Sequence, residues 1–123
     1  MPELRRYKLY IVRYVDSPTH QEFVNIAVCL AEDSNAPQRF VGFESLSNWD
    51  RLQSFFPHAD VAFLREWCEE VRGELNNHEK RDSVLQNLET MDSAISVFTE
   101  TKAVETRADP HQALNTVANG YLR

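Results

Sequence analysis

The sequence predicts an α+β domain, a mainly antiparallel sheet covered by helices, with its elements in the order β-β-β-α-α-α-β-α. Three observations carry this. Two runs dense in Tyr, Ile and Val, residues 7–15 and 22–31, flank a short polar loop. Apolar residues then recur every three or four positions between residues 48 and 91, the period of a helix face. Period-two alternation returns at residues 94–101, shortly before an Asp-Pro pair.

In chain order, residues 7–15 and 22–31 read as strands joined by Asp16 to Gln21, whose Asp, Ser and Pro favour a turn. An antiparallel hairpin is the simplest connection at that length. One face of the first strand carries Leu9, Ile11, Arg13 and Val15, and the other Tyr10, Val12 and Tyr14. Strands apolar on both faces sit centrally in a sheet that is covered on both sides. Asp33 to Pro37 is a second turn signal, and Arg39 to Glu44 completes a three-stranded meander.

Asn48 is placed to cap a short helix in which Trp49, Leu52, Phe55 and Phe56 share a face, and Pro57 stops it. Asp60 is placed to cap the next, where Val61, Leu64, Trp67, Cys68, Val71 and Leu75 form an apolar stripe. Asn76-Asn77 ends it, and Arg81 to Met91 gives a third helix with Val84, Leu85, Leu88 and Met91 on one side. After Asp92-Ser93, residues 94–101 read as a fourth strand and residues 103–108 as a connector. Asp109-Pro110 opens a last helix, with Asp as cap and Pro where its missing N–H costs nothing. Leu114, Val117, Ala118 and Tyr121 are its apolar side.

With 123 residues, 42% of them hydrophobic, residues 1–123 make one domain with one core. The 3 Gly and 5 Pro leave no linker to divide it. A formal net charge of −6 argues against general nucleic-acid binding, although Arg5, Arg6, Lys8 and Arg13 form a local basic cluster, read as strand-end charge. Neither a signal peptide nor a membrane span is expected. Cys29 and Cys68 lack CxxC spacing and read as buried free thiols, the default in a reducing cytosol.

The opening hairpin, R-Y-K-L-Y-I-V-R-Y-V-D-S-P-T-H-Q-E-F-V-N-I-A-V-C-L, resembles the start of a widespread bacterial family catalogued as a domain of unknown function, number thirty thirty-seven. Its pattern, Y-x-x-V-R-Y followed by E-x-V-N-I-G-V, is met here by Tyr10, Arg13, Tyr14, Glu22, Val24, Asn25, Ile26 and Val28. Ala27 stands where the family has Gly. The strand S-A-I-S-V-F-T-E-T-K-A-V and the segment D-P-H-Q-A-L-N-T-V are similar in placement, so the resemblance spans nearly the whole chain. It implies no established activity. Family genes often lie beside those for HipA-like kinases, which implies a partner or regulatory role.

Three polar residues interrupt the hairpin: Arg13, Glu22 and Asn25. If residues 15 and 22 pair, Arg13 lies opposite Val24 and diagonal to Glu22, ~7–8 Å away by Cα. A fork-shaped ion pair is then within reach, and Asn25 points to the other face. The plainer reading has Arg13–Glu22 pinning the hairpin register and Asn25 tying down a loop or neighbouring backbone. The functional reading has the three residues as a binding site, with Arg13 anchoring an anionic or peptide ligand.

Elsewhere, Glu100-Thr101-Lys102 matches the E-x-K half of a metal-dependent nuclease site, for which Glu44 would have to converge from the third strand. His20, His58, His78 and His111 lack metal-ligand spacing and read as surface residues. Glu66, Glu69, Glu70 and Glu74 make an acidic helix face, a solvated surface or a dock for a basic partner, interrupted by Arg65 and Arg72.

With no complete catalytic set, the expectation is a cytoplasmic, non-catalytic interaction or regulatory module. It has a protein partner, a HipA-like kinase by the family resemblance, and no cofactor, catalytic or metal residues. An unpaired edge at the third or fourth strand also opens a route to a homodimer. The alternative is a small metal-dependent nuclease or hydrolase using Glu44, Glu100 and Lys102.

Overall fold

The two-sided apolar strand sits, as its composition demands, inside the sheet. In the computed structural model, which describes residues 3–15, 22–32, 40–89 and 97–122, β1 (Arg5–Val15), β2 (Phe23–Glu32), β3 (Phe40–Ser45) and β4 (Val97–Thr106) form one sheet in the order β3-β2-β1-β4. Every neighbouring pair is antiparallel. The helices are α1 (Asp50–Phe55), α2 (Val61–Leu75), α3 (Arg81–Glu89) and α4 (Pro110–Leu122), so the element order is the expected one.

Each face of the sheet has its own core. Tyr10, Val12 and Tyr14 of β1, with Ala27, Cys29 and Ala31 of β2, pack under α1, α2 and α3. Tyr7, Leu9 and Ile11, with Val28 and Leu30, pack under Ala113, Val117 and Ala118 of α4. Each Leu, Ile or Val taken fully out of water in this way contributes about 1.5–3 kcal/mol.

The helices dock by the faces that their periodicity predicts. Leu64, Cys68, Val71 and Leu75 of α2 are buried, and Asp60 Oδ1 accepts a hydrogen bond from the Phe63 N–H at 3.0 Å. Asp109 Oδ1 does the same for the Gln112 N–H of α4 at 2.9 Å. In α1 the expected cap is displaced. The helix begins at Asp50 after Trp49, and Asn48 Oδ1 accepts from the Asp50 N–H at 3.1 Å, serving the same donor from one residue further out. Leu52, Trp49 and Phe56 are buried, but Phe55 is turned to solvent.

One strand is longer than its alternation suggests. Residues 103–106 continue β4 where a connector is expected, because β1 offers a partner along its length, from Tyr14 opposite Val97 to Arg5 opposite Thr106. The expected turns at 16–21, 33–37 and 92–93, together with Met91 and residues 94–96, lie outside the described residues. The basic cluster does not act as one patch. Arg6 pairs with Glu105 at 2.9 Å and Lys8 with Glu89 at 2.8 Å, while Arg13 pairs with Glu100.

Cys29 and Cys68 are both buried and free. Burial pushes the Cys68 thiol up to about 12, Arg72 drawing it down and Glu69 raising it in smaller measure. Burial also raises Cys29. A proton held more tightly in the folded chain stabilises it below the thiol's ordinary value of 9.0, and that contribution is lost as pH climbs toward about 12. Both thiols are therefore expected to resist a thiol reagent at neutral pH in the native protein and to react together only in denaturant. Titration with a chromogenic disulfide checks this.

α4 also depends on a close approach to β3. A Cβ on Gly42 would run into the Leu114 Cδ2 methyl. Gly42→Ala is expected to cost about 1 kcal/mol, the low end for overpacking because a leucine methyl can rotate aside. Urea unfolding of Gly42→Ala, Leu114→Ala and the double variant checks it: the double loss should fall short of the sum of the single losses.

Candidate functional site

The polar residues of the hairpin are arranged by one irregularity. Near the loop, Val15 stands opposite Phe23, Tyr14 opposite Val24 and Arg13 opposite Asn25; beyond it, Val12 stands opposite Ala27. Ile26 is the extra residue of a β-bulge, and its carbonyl accepts from the Leu46 N–H at 2.9 Å. The expected pairing of residues 15 and 22 is therefore out by one position. A slip of one residue turns every side chain to the opposite face.

The correction reassigns the partners. Arg13 lies opposite Asn25, not Val24, and its Nε donates to Asn25 Oδ1 at 3.2 Å. Asn25 Nδ2 donates in turn to the Tyr121 carbonyl at 3.1 Å, one of the carbonyls that the last turn of α4 cannot satisfy internally. On its other side Arg13 forms an ion pair with Glu100 of β4, and its guanidinium lies 4.3 Å from the centre of the Phe23 ring. Arg13 and Asn25 thus belong to one network that ties β1, β2, β4 and α4 together. Glu22 sits one residue before β2, exposed to solvent.

Beside this network is an open groove of about 450 Å³. It is lined by Glu22 and Phe23–Asn25, by Arg51 and Phe55 of α1 with Phe56 directly after them, by Tyr121 and Leu122 of α4, and by Leu46. Phe56 is held by Tyr14, their ring centres 5.4 Å apart and tilted by 55°. Phe23 and Phe55 are 47% and 63% exposed, far more than large apolar side chains elsewhere in the core. Of the three residues singled out in the hairpin, Glu22 and Asn25 line the groove and Arg13 stands behind Asn25. The other lining residues, Phe23, Arg51, Phe55 and Tyr121 among them, were missed by sequence reasoning as site residues. Phe55 and Tyr121 fall on apolar helix stripes, so nothing in their spacing marks them as surface.

The other candidates separate. Lys102 Nζ is 3.9 Å from Glu100 Oε1. Glu44, however, stands on β3, at the opposite side of the sheet from β4. The row runs Glu44, Val28, Ile11, Glu100, which puts about 14 Å between the two acids, too far to share a metal ion. Among the described residues no group of three or more His, Cys, Asp or Glu is placed to hold a metal. His58, His78 and His111 are exposed, and His20 lies outside the described residues. On the acidic face of α2, Arg72 pairs with Glu69 at 2.6 Å and its Nη2 donates to Ser45 Oγ at 3.1 Å. No helix among the described residues is long and apolar enough to cross a membrane.

The network makes a sharp energetic prediction. Arg13→Ala and Asn25→Ala are each expected to destabilise by about 1 kcal/mol, the Arg13–Glu100 contribution being reduced by solvent at the partly exposed pair. The two losses should be non-additive by at least ~0.5 kcal/mol. Arg13→Ala and Glu22→Ala should add independently. Double-mutant cycles in urea distinguish the two pairings.

Comparison with known proteins supplies a family. The model described as "Protein of unknown function (DUF3037)" matches residues 9–122, nearly the whole chain. No curated protein and no solved structure matches it.

Proposed function

The chain belongs to the DUF3037 family, a family of unknown function, and we propose that it is a non-catalytic interaction module that holds a segment of a protein partner in the groove between β2, α1 and α4. The observation that carries this reading is the exposure of Phe23 and Phe55, both of which line that groove. Exposed aromatic side chains beside a few polar groups are the usual composition of a binding hot spot. Asn25 and Arg51 supply donors and Glu22 an acceptor, a set suited to the backbone and side chains of a peptide. A regulatory role toward a HipA-like kinase is the specific form of the proposal. The site is also built from elements far apart in sequence, so a partner seated there would brace α4 against the sheet.

The alternative, a metal-dependent nuclease or hydrolase on Glu44, Glu100 and Lys102, is not favoured by the position of Glu44. Glu100 is also paired with Arg13, which competes with a metal for its carboxylate.

The test is recovery of the partner by crosslinking and co-purification from the native host, then direct binding with purified protein, a HipA-like kinase among the candidates. Phe55→Asp is expected to weaken binding at least tenfold with an unchanged melting temperature, since Phe55 contributes little to the core. Phe63→Asp, at an exposed phenylalanine of α2 outside the groove, should bind as the wild type does. Equal loss in both variants, or a protein that elutes alone under crosslinking, would overturn the proposal.

A further inference from the structure

We infer that the outer edge of β4 pairs with β4 of a second copy of this chain, antiparallel about a two-fold axis through Thr101. β4 ends the sheet order, so one side of its ten residues has no strand partner among the described residues. α4 packs mainly over β2 and β3, and it meets β4 at Val104 and at Lys102, whose Nζ lies 5.8 Å from the centre of the Tyr121 ring. Thr101, Lys102, Ala103 and Glu105 are exposed. A long edge of free N–H and C=O groups is a template for another strand.

The side chains say which strand fits. Two copies related by a two-fold axis perpendicular to the sheet keep their faces matched, so the axis must pass through a residue and not between two. On the α4 face, β4 presents Phe98, Glu100, Lys102 and Val104 in turn. Centred on Thr101, each copy sets Glu100 opposite Lys102 and Phe98 opposite Val104, twice over by symmetry. The four-residue pattern is its own complement. On the other face Thr101 meets Thr101 and Thr99 meets Ala103, pairs that sheets accept readily. Centring the axis one residue either way sets Glu100 against Glu100 or Lys102 against Lys102, and like charges directly opposite destabilise a pair. The charges on this edge therefore favour the register centred on Thr101 over its two immediate neighbours and give it the one arrangement in which Glu100 faces Lys102. Two four-stranded sheets then continue as one, and the groove beside α1 stays open.

The test reads mass and register separately. Light scattering during size-exclusion chromatography, over a concentration series, should show the wild type shifting to a dimer. Lys102→Glu should weaken that dimer at least tenfold, with circular dichroism and melting temperature confirming that the fold is kept. Thr101→Cys should give a covalent dimer on mild oxidation, because facing residues bring their Cβ atoms to ~4.5–5.5 Å. Ala103→Cys should not, since its two copies would lie about 13 Å apart along the strands. Phe55→Asp should leave the dimer intact, which keeps this result distinct from that of the groove. A wild type monomeric at every concentration would overturn the inference, and so would crosslinking no faster at position 101 than at 103.

Discussion

A strand that is apolar on both faces must be covered twice, and the architecture follows from that requirement on β1. Tyr7, Leu9, Ile11 and Tyr10, Val12, Tyr14 point to opposite sides, and all are buried. A sheet with helices on one side alone would leave half of them in water. α1, α2 and α3 close one face and α4 the other. The second cover is the thinner one, a single helix, and it is held by specific devices: the absence of a side chain at Gly42, where Leu114 comes in, and the amide of Asn25 on the Tyr121 carbonyl.

The fold was largely legible in the sequence because its signals are local. The two-faced pattern of residues 7–15, the caps at Asp60 and Asp109 and the stripe from Leu64 to Leu75 depend on neighbours a few residues away. What escaped depends on distant ones. The bulge at Ile26 carries no Gly or Pro to announce it, and its carbonyl is used by Leu46, twenty positions on. The last residues of β4 look like a connector in isolation and become strand because β1 is long enough to pair with them.

The same division explains the site. Arg13, Glu22 and Asn25 stand out as polar residues within apolar runs, so sequence reasoning could select them. It could not assign their partners, since a single inserted residue exchanges faces across the hairpin. The bulge thereby separates two roles that a regular ladder would have confused. Arg13 and Asn25 fasten strands to helix, Asn25 also lining the groove, while Glu22 and Phe23 stand at the groove. The groove itself takes residues from β2, α1 and α4, and no window of sequence contains all three.

The bond from Asn25 to Tyr121 spans 96 residues of chain, which bears on how the molecule comes into being. β1 and β2 are synthesised early and can form their hairpin at once, yet Tyr7, Leu9, Ile11, Val28 and Leu30 stay uncovered until α4 has been made. β4, the other flank of β1, also arrives late. Native contacts this distant in sequence slow folding and prolong the exposure of apolar surface. On the ribosome, the nascent chain must carry a half-wet sheet until almost all of the described residues have been made, a stage at which a chaperone or a second nascent copy would find its apolar face before α4 does.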